Sequence, residues 1–333
     1  MLQQQGDKVV VVVRPKDIAE QLCREAGWDY IGLCPRPNGH GHFQLAAAVA
    51  HRVKEVADIV RRERPDMLLG SDGVLAYVGW WFGLPRFEFF DDDYDVIKLY
   101  AQIYFPFYTD LVCPKVTDAG RWIKKKRAYD GYQKLAYLHP SHFTPDRTVM
   151  ERYVPDNSRF FIVRLSALQA HHDTGMHGLG REQAIRLIDI LKYYGRVFIS
   201  SEYPLDSQFE PYRMNINPLD IHHLLYFADI YVGDSQSMAV EAAVLGTPAI
   251  RCNDFVGRIS VLNELEQRYK LAFGIRPDEP DKLYTTIDHL LSMPNLKEEF
   301  ATRRARMLTE KTDTTAFYFD MLNHYPYHNT HNQ

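Results

Sequence analysis

The chain has 333 residues, 46% hydrophobic and 25% charged, the proportions of a globular protein of about two domains, which excludes global disorder. With 39 Lys plus Arg against 43 Asp plus Glu, the formal net charge is −4, which argues against a general attraction to nucleic acid. The longest apolar runs, 9–13 and 45–50, fall far short of the ~18 residues a membrane span needs. The start, Met-Leu-Gln-Gln-Gln-Gly-Asp-Lys, lacks the regions of a signal peptide. A cytoplasmic location is expected, with peripheral membrane contact left open. The four cysteines, Cys23, Cys34, Cys113 and Cys252, are far apart with no CxxC pair. They read as buried free thiols, not as a disulfide framework or a zinc set.

Taken in chain order, 7–13 is a β-branched run typical of a strand buried on both faces. Residues 16–26 have helical spacing, closed by Gly27. The next strand is 28–33, followed by a Gly/Pro loop holding Gly39-His40-Gly41-His42 and a long helix over 43–63. Strand 65–70, helix 73–82 and strand 85–90 follow, the last ending on Asp91-Asp92-Asp93. From about 114 to 158 the alternation pauses in a Pro-rich stretch, where Lys124-Lys125-Lys126-Arg127 reads as a solvated face. A second series has strands at 160–165, 196–200, 230–232 and 249–251, with helices at 181–194, 218–227 and 235–245. Residues 295–323 are helical and charged, and 324–333 read as a frayed tail. Strand–helix alternation implies an α/β protein with parallel sheets and right-handed crossovers. The expected architecture is two doubly wound Rossmann-like domains facing a central cleft. They are placed at 1–125 and 159–310, joined by a connection at 126–158 and followed by a C-terminal helix and tail at 311–333.

The most informative segment runs from Tyr231 to Pro248 and contains Gly233-Asp234-Ser235-Gln236-Ser237-Met238-Ala239-Val240-Glu241. A buried strand ends at Gly233, and Asp234 or Ser235 can cap the helix that follows. Free amides at such a helix start favour phosphate, and the carboxyl ends of strands are where open α/β sheets bind ligands. Ser237 and Glu241 are four apart and share a helix face, so Glu241 could take a ribose diol while the helix start holds a diphosphate. The plainer alternative is that Asp234 and Ser235 only cap the helix and Glu241 is solvated or salt-bridged.

Arg164 ends the first strand of the second half, where a planar, permanently charged guanidinium suits phosphate. It is followed by His171-His172-Asp173, of which His172 could contact phosphate or carry a proton near neutral pH. Glu202 follows the strand 197–200, a base or hydroxyl-binding candidate facing the same cleft. In the first half Asp72, in Ser71-Asp72-Gly73, is placed to deprotonate an acceptor hydroxyl, with Asp92 as runner-up. For Asp72 a turn or helix cap is the competing reading. No metal site and no cofactor are expected.

The 231–248 segment resembles the nucleotide-sugar-binding helix of GT-B-fold proteins, in particular the non-hydrolysing UDP-N-acetylglucosamine 2-epimerases with their Asp-Ser-Gly-Gly-x-x-x-Glu. The resemblance places Ser235 on the phosphate and Glu241 on the ribose, while Gln236 and Ser237 stand where that pattern has glycines. A wider resemblance is to the family called domain of unknown function 354, itself GT-B-like. It rests on Tyr129-Asp130-Gly131-Tyr132, Leu135-Ala136-Tyr137-Leu138-His139-Pro140, Val163-Arg164, Ala170-His171-His172-Asp173, Val197-Phe198-Ile199-Ser200-Ser201-Glu202 and the Asp234 segment. It implies that a leading strand and helix of relatives are absent here. The expected function is nucleotide-sugar-dependent glycosyl transfer in polysaccharide or glycolipid assembly, with a UDP-linked donor and a sugar or lipid-linked acceptor. The alternatives are a nucleotide-sugar 2-epimerase and a non-catalytic nucleotide-binding or scaffold protein. Nothing in the sequence signals oligomeric state.

Overall fold

The computed structural model describes residues 1–15, 18–34, 42–165, 178–201 and 204–325. Among them, eleven strands form three sheets in which every pairing is parallel. After a short helix α1 (Leu2–Gln5), β1 (Val11–Val13) pairs with β2 (Tyr30–Gly32) across α2 (Ala19–Glu25). The long α3 (His42–Glu63) leads to a four-stranded sheet of β3 (Leu68–Gly70), β4 (Arg86–Phe89), β5 (Asp110–Pro114) and β6 (Lys126–Tyr129), in that spatial order. Helices α4 (Val74–Phe82) and α5 (Lys98–Tyr104) are its crossovers, and α6 (Leu135–Leu138) and α7 (Arg147–Glu151) follow β6.

The second half alternates β7 (Phe160–Arg164), α8 (Arg181–Leu191), β8 (Arg196–Ser200), α9 (Ile221–Phe227), β9 (Ile230–Gly233), α10 (Gln236–Leu245), β10 (Ala249–Cys252), α11 (Ser260–Gln267), β11 (Ala272–Ile275) and α12 (Pro280–Ser292). Its strand order is β11-β10-β9-β7-β8. β9 and β10 are buried along their whole length, as expected of parallel strands covered on both faces. α10 is buried on most of its surface through Ala239, Val240, Ala242, Ala243, Val244 and Leu245. Its small side chains let it lie close between the sheet and α13 (Leu296–Glu310).

Three features join the halves. Asp93, in the loop after β4, is buried and accepts from Ser260 N at 2.6 Å, Ser260 Oγ at 2.8 Å and Asp118 N at 2.7 Å. Lys311 Nζ donates to Asp130 Oδ1 at 2.9 Å and Glu264 Oε1 at 3.0 Å, and the Tyr132 hydroxyl donates to Glu264 Oε2 at 2.7 Å. Finally α14 (Thr314–Asn323) returns to the first half. Leu322 is buried there with Phe87, Val112 and Tyr129, and Phe317, Tyr318 and Tyr325 pack on the same cluster. Tyr325, read as part of a frayed tail, is docked: its ring lies 4.8 Å from Phe87, and its hydroxyl donates to Asp110 Oδ2 at 3.1 Å.

The structure differs from the sequence reading in three further local places. The strand at the start is only Val11–Val13, and Val9 and Val12 are 40% and 38% exposed. β-branching favours the extended backbone there, but a strand paired only with β2 is not covered on both faces. The basic run 124–127 is a solvated face only in part: Lys124 and Arg127 are exposed, Arg127 while pairing with Asp110, but Lys125 Nζ donates to the carbonyls of Phe105, Pro106 and Tyr108 and Lys126 Nζ to those of Lys115 and Thr117. These charges end one 3₁₀ turn and begin β6. Of the four cysteines, Cys23, Cys113 and Cys252 are buried, but Cys34 is exposed, because it lies just past the short β2.

Candidate functional site

In the second half the chain leaves β7 for β8 on one side and later returns to β9 on the other. The carboxyl ends of β7 and β9 therefore flank a topological switch point, where open α/β sheets leave a crevice. The register sets Arg164 of β7 beside Gly233 of β9. A Cβ on Gly233 would lie 2.6 Å from Arg164 Cβ and 2.7 Å from the Tyr231 hydroxyl, so glycine is required for this approach. Arg164 Nη1 donates to Ser200 Oγ on β8 at 2.7 Å.

Beyond Gly233 the chain turns directly into α10. Asp234 is buried; its carbonyl accepts from Asn253 Nδ2 at 2.8 Å, and its carboxylate lies against Gly178, where a Cβ would be 2.6 Å from Oδ2. Ser235 is the N-cap, in extended conformation, and its hydroxyl accepts from Met238 N at 3.4 Å. One first-turn amide is thus engaged weakly, and the helix start retains its anion-binding character. Ser237 is exposed and Gln236 half-buried. Gln236 Oε1 is shut off from solvent with no hydrogen-bond partner among the described residues.

Glu241 lies further along α10 and is half-buried. Its Oε1 accepts from the Tyr137 hydroxyl of α6 at 2.7 Å, and its Oε2 lies 3.7 Å from His222 Nε2 of α9. Burial pushes the carboxyl up, but His222, the Tyr137 hydroxyl and Lys134 together hold it below its ordinary value. It is therefore ionised at neutral pH and able to accept further hydrogen bonds. Lys134 Nζ also lies 3.7 Å from Asp91 Oδ2, which brings the acidic loop after β4 to α6. In that loop burial pushes the Asp92 carboxyl up to about 6, with Asp91 and Asp93 adding to the rise and Lys134 opposing it.

Asp72 behaves as a cap as well as a candidate base. Its Oδ1 accepts from Val74 N at the start of α4 at 3.1 Å, and its Oδ2 lies 3.7 Å from Arg52 Nη1 on α3. The Tyr108 hydroxyl donates to its carbonyl at 2.9 Å. Nearby is a group the sequence reading passed over. Glu88 of β4 is 2% exposed, accepts from the Tyr100 hydroxyl at 2.9 Å, and keeps Oε2 without a partner among the described residues. Burial pushes its carboxyl up to about 7, against the tyrosine hydroxyls and with help from the Asp72 charge. In Phe87-Glu88-Phe89 the acid looks like the outward member of an alternating strand; only the tyrosines from outside the strand reveal its burial.

The described residues thus place Arg164, Ser235, Gln236, Ser237 and Glu241 on β7 and on the helix that follows β9, β7 and β9 being neighbouring central strands of one sheet, with Tyr137 and His222 added by the structure. Asp72 stands in the first half among Arg52, Glu88, Tyr100 and Tyr108. His172 and Glu202, with the neighbouring His171 and Asp173, lie outside the described residues.

No protein-family profile matches the chain, and no curated protein matches it in sequence. Solved structures do match in fold. The UDP-GlcNAc 2-epimerase of Neisseria meningitidis bound to UDP-GlcNAc aligns over 97% of this chain and 94% of its own, at 13% identity and a TM-score of 0.64. UGT89C1 of Arabidopsis thaliana complexed with UDP aligns over 96% and 93%, at 14% identity and a TM-score of 0.62. The spinosyn rhamnosyltransferase SpnG complexed with spinosyn aglycone aligns over 97% and 94%, at 13% identity and a TM-score of 0.57. The chain has the α/β fold of these GT-B proteins, with two Rossmann-like halves built on parallel sheets.

Proposed function

We propose that this protein binds a nucleotide sugar, UDP-linked, at the switch point of its second sheet and transfers the sugar to an acceptor hydroxyl. The observation that carries the reading is the junction of β9 with α10: a helix start beside Arg164, with an ionised Glu241 further along the same helix. In this reading the diphosphate meets Arg164 and the α10 start at Ser235, Gln236 and Ser237, and Glu241 accepts from the ribose hydroxyls. The acceptor oxygen forms a bond to the anomeric carbon as the bond to the diphosphate breaks. The departing diphosphate takes up negative charge beside the helix start and the guanidinium. Asp72 takes the acceptor proton, and His172 and Glu202 are the further proton-transfer candidates. The acceptor is assigned to polysaccharide or glycolipid assembly, as a sugar or lipid-linked glycan. Membership of the domain of unknown function 354 family rests on the sequence motifs quoted above.

A second reading, nucleotide-sugar 2-epimerase, is favoured by Glu88. Burial pushes the Glu88 carboxyl up to about 7, near neutrality, which suits removal and return of a proton. Incubating the chain with UDP-sugars in heavy water, with and without acceptor glycans, separates the readings. Transfer predicts UDP release that depends on acceptor, and epimerisation predicts a changed sugar carrying deuterium without acceptor. Neither product with any UDP-sugar would overturn both.

A further inference from the structure

Away from this crevice, three side chains of different chemistry converge beside β2. Cys34 follows that strand, and His51 and Glu55 are four residues apart on α3, so they share a helix face. One ligand-competent atom from each residue lies within 4.8 Å of the other two. The Cys34 backbone N–H donates to Glu55 Oε1 at 3.0 Å, which fixes the strand end against the helix, and His51 Nδ1 lies 3.2 Å from Glu55 Oε2. That second carboxylate oxygen is shut off from solvent, yet it takes no well-formed hydrogen bond among the described residues. A sulfur, an imidazole nitrogen and an under-satisfied carboxylate oxygen gathered around one point are relieved by a cation.

We propose that Cys34, His51 and Glu55 bind one divalent transition-metal ion of the zinc type, with a fourth position open to solvent. The donor set selects the metal. Mg²⁺ and Ca²⁺ take oxygen ligands, and Cu⁺ and iron–sulfur clusters take sulfur-rich sites. One sulfur, one nitrogen and one oxygen is the mixed set that Zn²⁺ accepts in tetrahedral geometry. Bonds of ~2.0–2.3 Å hold tetrahedral ligand atoms roughly 3.5 Å apart, so rotamer changes of the exposed Cys34 and His51 complete the closure. On binding, a metal–sulfur bond forms, the S–H bond breaks, and its proton leaves to solvent. The thiolate and carboxylate then balance the two positive charges. The ion ties the end of β2 to α3, whose Arg52 faces Asp72.

Titration of the metal-stripped full-length chain with Co²⁺, followed by Zn²⁺ competition, tests this. The expected result is a thiolate-to-cobalt charge-transfer band saturating at one equivalent, with tetrahedral visible bands, all bleached by Zn²⁺. Cys34→Ser, a near-isosteric change at an exposed position, should abolish the charge-transfer band while its metal-free melting matches wild type. His51→Ala and Glu55→Gln should each weaken binding roughly tenfold or more. Zn²⁺ should raise the melting temperature of wild type and not of Cys34→Ser. No band at one equivalent, or a band that survives in Cys34→Ser, would overturn the proposal.

Discussion

Two carboxylates show how surroundings, not residue type, decide what a side chain can do. Glu241 and Glu88 are both partly or wholly removed from water and both accept from a tyrosine hydroxyl. Glu241 also faces His222 and Lys134 and is held below its ordinary value, whereas Glu88 has only neutral hydroxyls and the like charge of Asp72 and rises to about 7. The native state therefore keeps a proton on Glu88 that the unfolded chain loses near its ordinary value of 4.5. Glu88's contribution to stability is complete below that value and is lost as pH rises through about 7, by up to roughly 3 kcal/mol. Denaturant titrations at pH 5 and pH 8 should show Glu88→Gln gaining on wild type at the higher pH. A stability difference that does not change with pH would contradict this assignment. Of the two acids only Glu241 was legible in the sequence, as the single charge in an apolar helix. Glu88 was not, because an alternating strand pattern carries no information about what packs over its polar face.

At the level of elements, the strand–helix junctions were readable wherever local chemistry marked them. Gly233-Asp234-Ser235 is a strand end, a turn and a cap in three residues, and β9 and α10 start and stop within a residue or two of expectation. β6 was hidden because it opens on two cations, Lys126, whose ammonium group finds the carbonyls of Lys115 and Thr117, and Arg127, which pairs with Asp110, and α11, β11 and α12 carry no motif that stood out. Long-range pairing is equally invisible in sequence. Lys311, 7% exposed, lies between Asp130 and Glu264 and so ties the segment after β6 to α11 and to the junction of α13 with α14. Removing the buried lysine takes one cation from Glu264, whose side chain is 11% exposed and which keeps Arg268 and the Tyr132 hydroxyl, at a cost of about 1–3 kcal/mol. Lys311→Met should lower the denaturation midpoint by an amount in that range, and adding Glu264→Gln should recover part of it. Equal losses in the single and double variants would mean the carboxylate was never dependent on the lysine.

Across the whole molecule, α14 begins beyond the second half and packs on the sheet of the first, with Phe89 and Tyr318 ring centres 4.8 Å apart and the Tyr318 hydroxyl donating to Tyr129 Oη at 3.0 Å. This docking, Asp93 on α11 and the Lys311 cluster make the halves one mechanical unit. Calorimetry on Phe317→Ala/Tyr318→Ala should show a single melting transition broadening or splitting, as the first half loses its cover. A transition unchanged in midpoint and width would contradict that coupling. The two-half architecture was legible from strand–helix alternation alone. The return of α14 was not, since nothing local in residues 314–323 names the surface it covers.

The central claim is that the switch point of the second sheet is a nucleotide site, and thermal melting with a nucleotide panel tests it most directly. UDP, GDP, CMP and dTDP, each with its sugar conjugates, would be compared on wild type and Glu241→Ala. A ligand at 100 times its Kd stabilises the native state by ~2.7 kcal/mol, enough to raise the melting temperature by several degrees. The account predicts such a rise with UDP and UDP-sugars for wild type and its loss in Glu241→Ala. No rise with any nucleotide, or an equal rise in the variant, would contradict it.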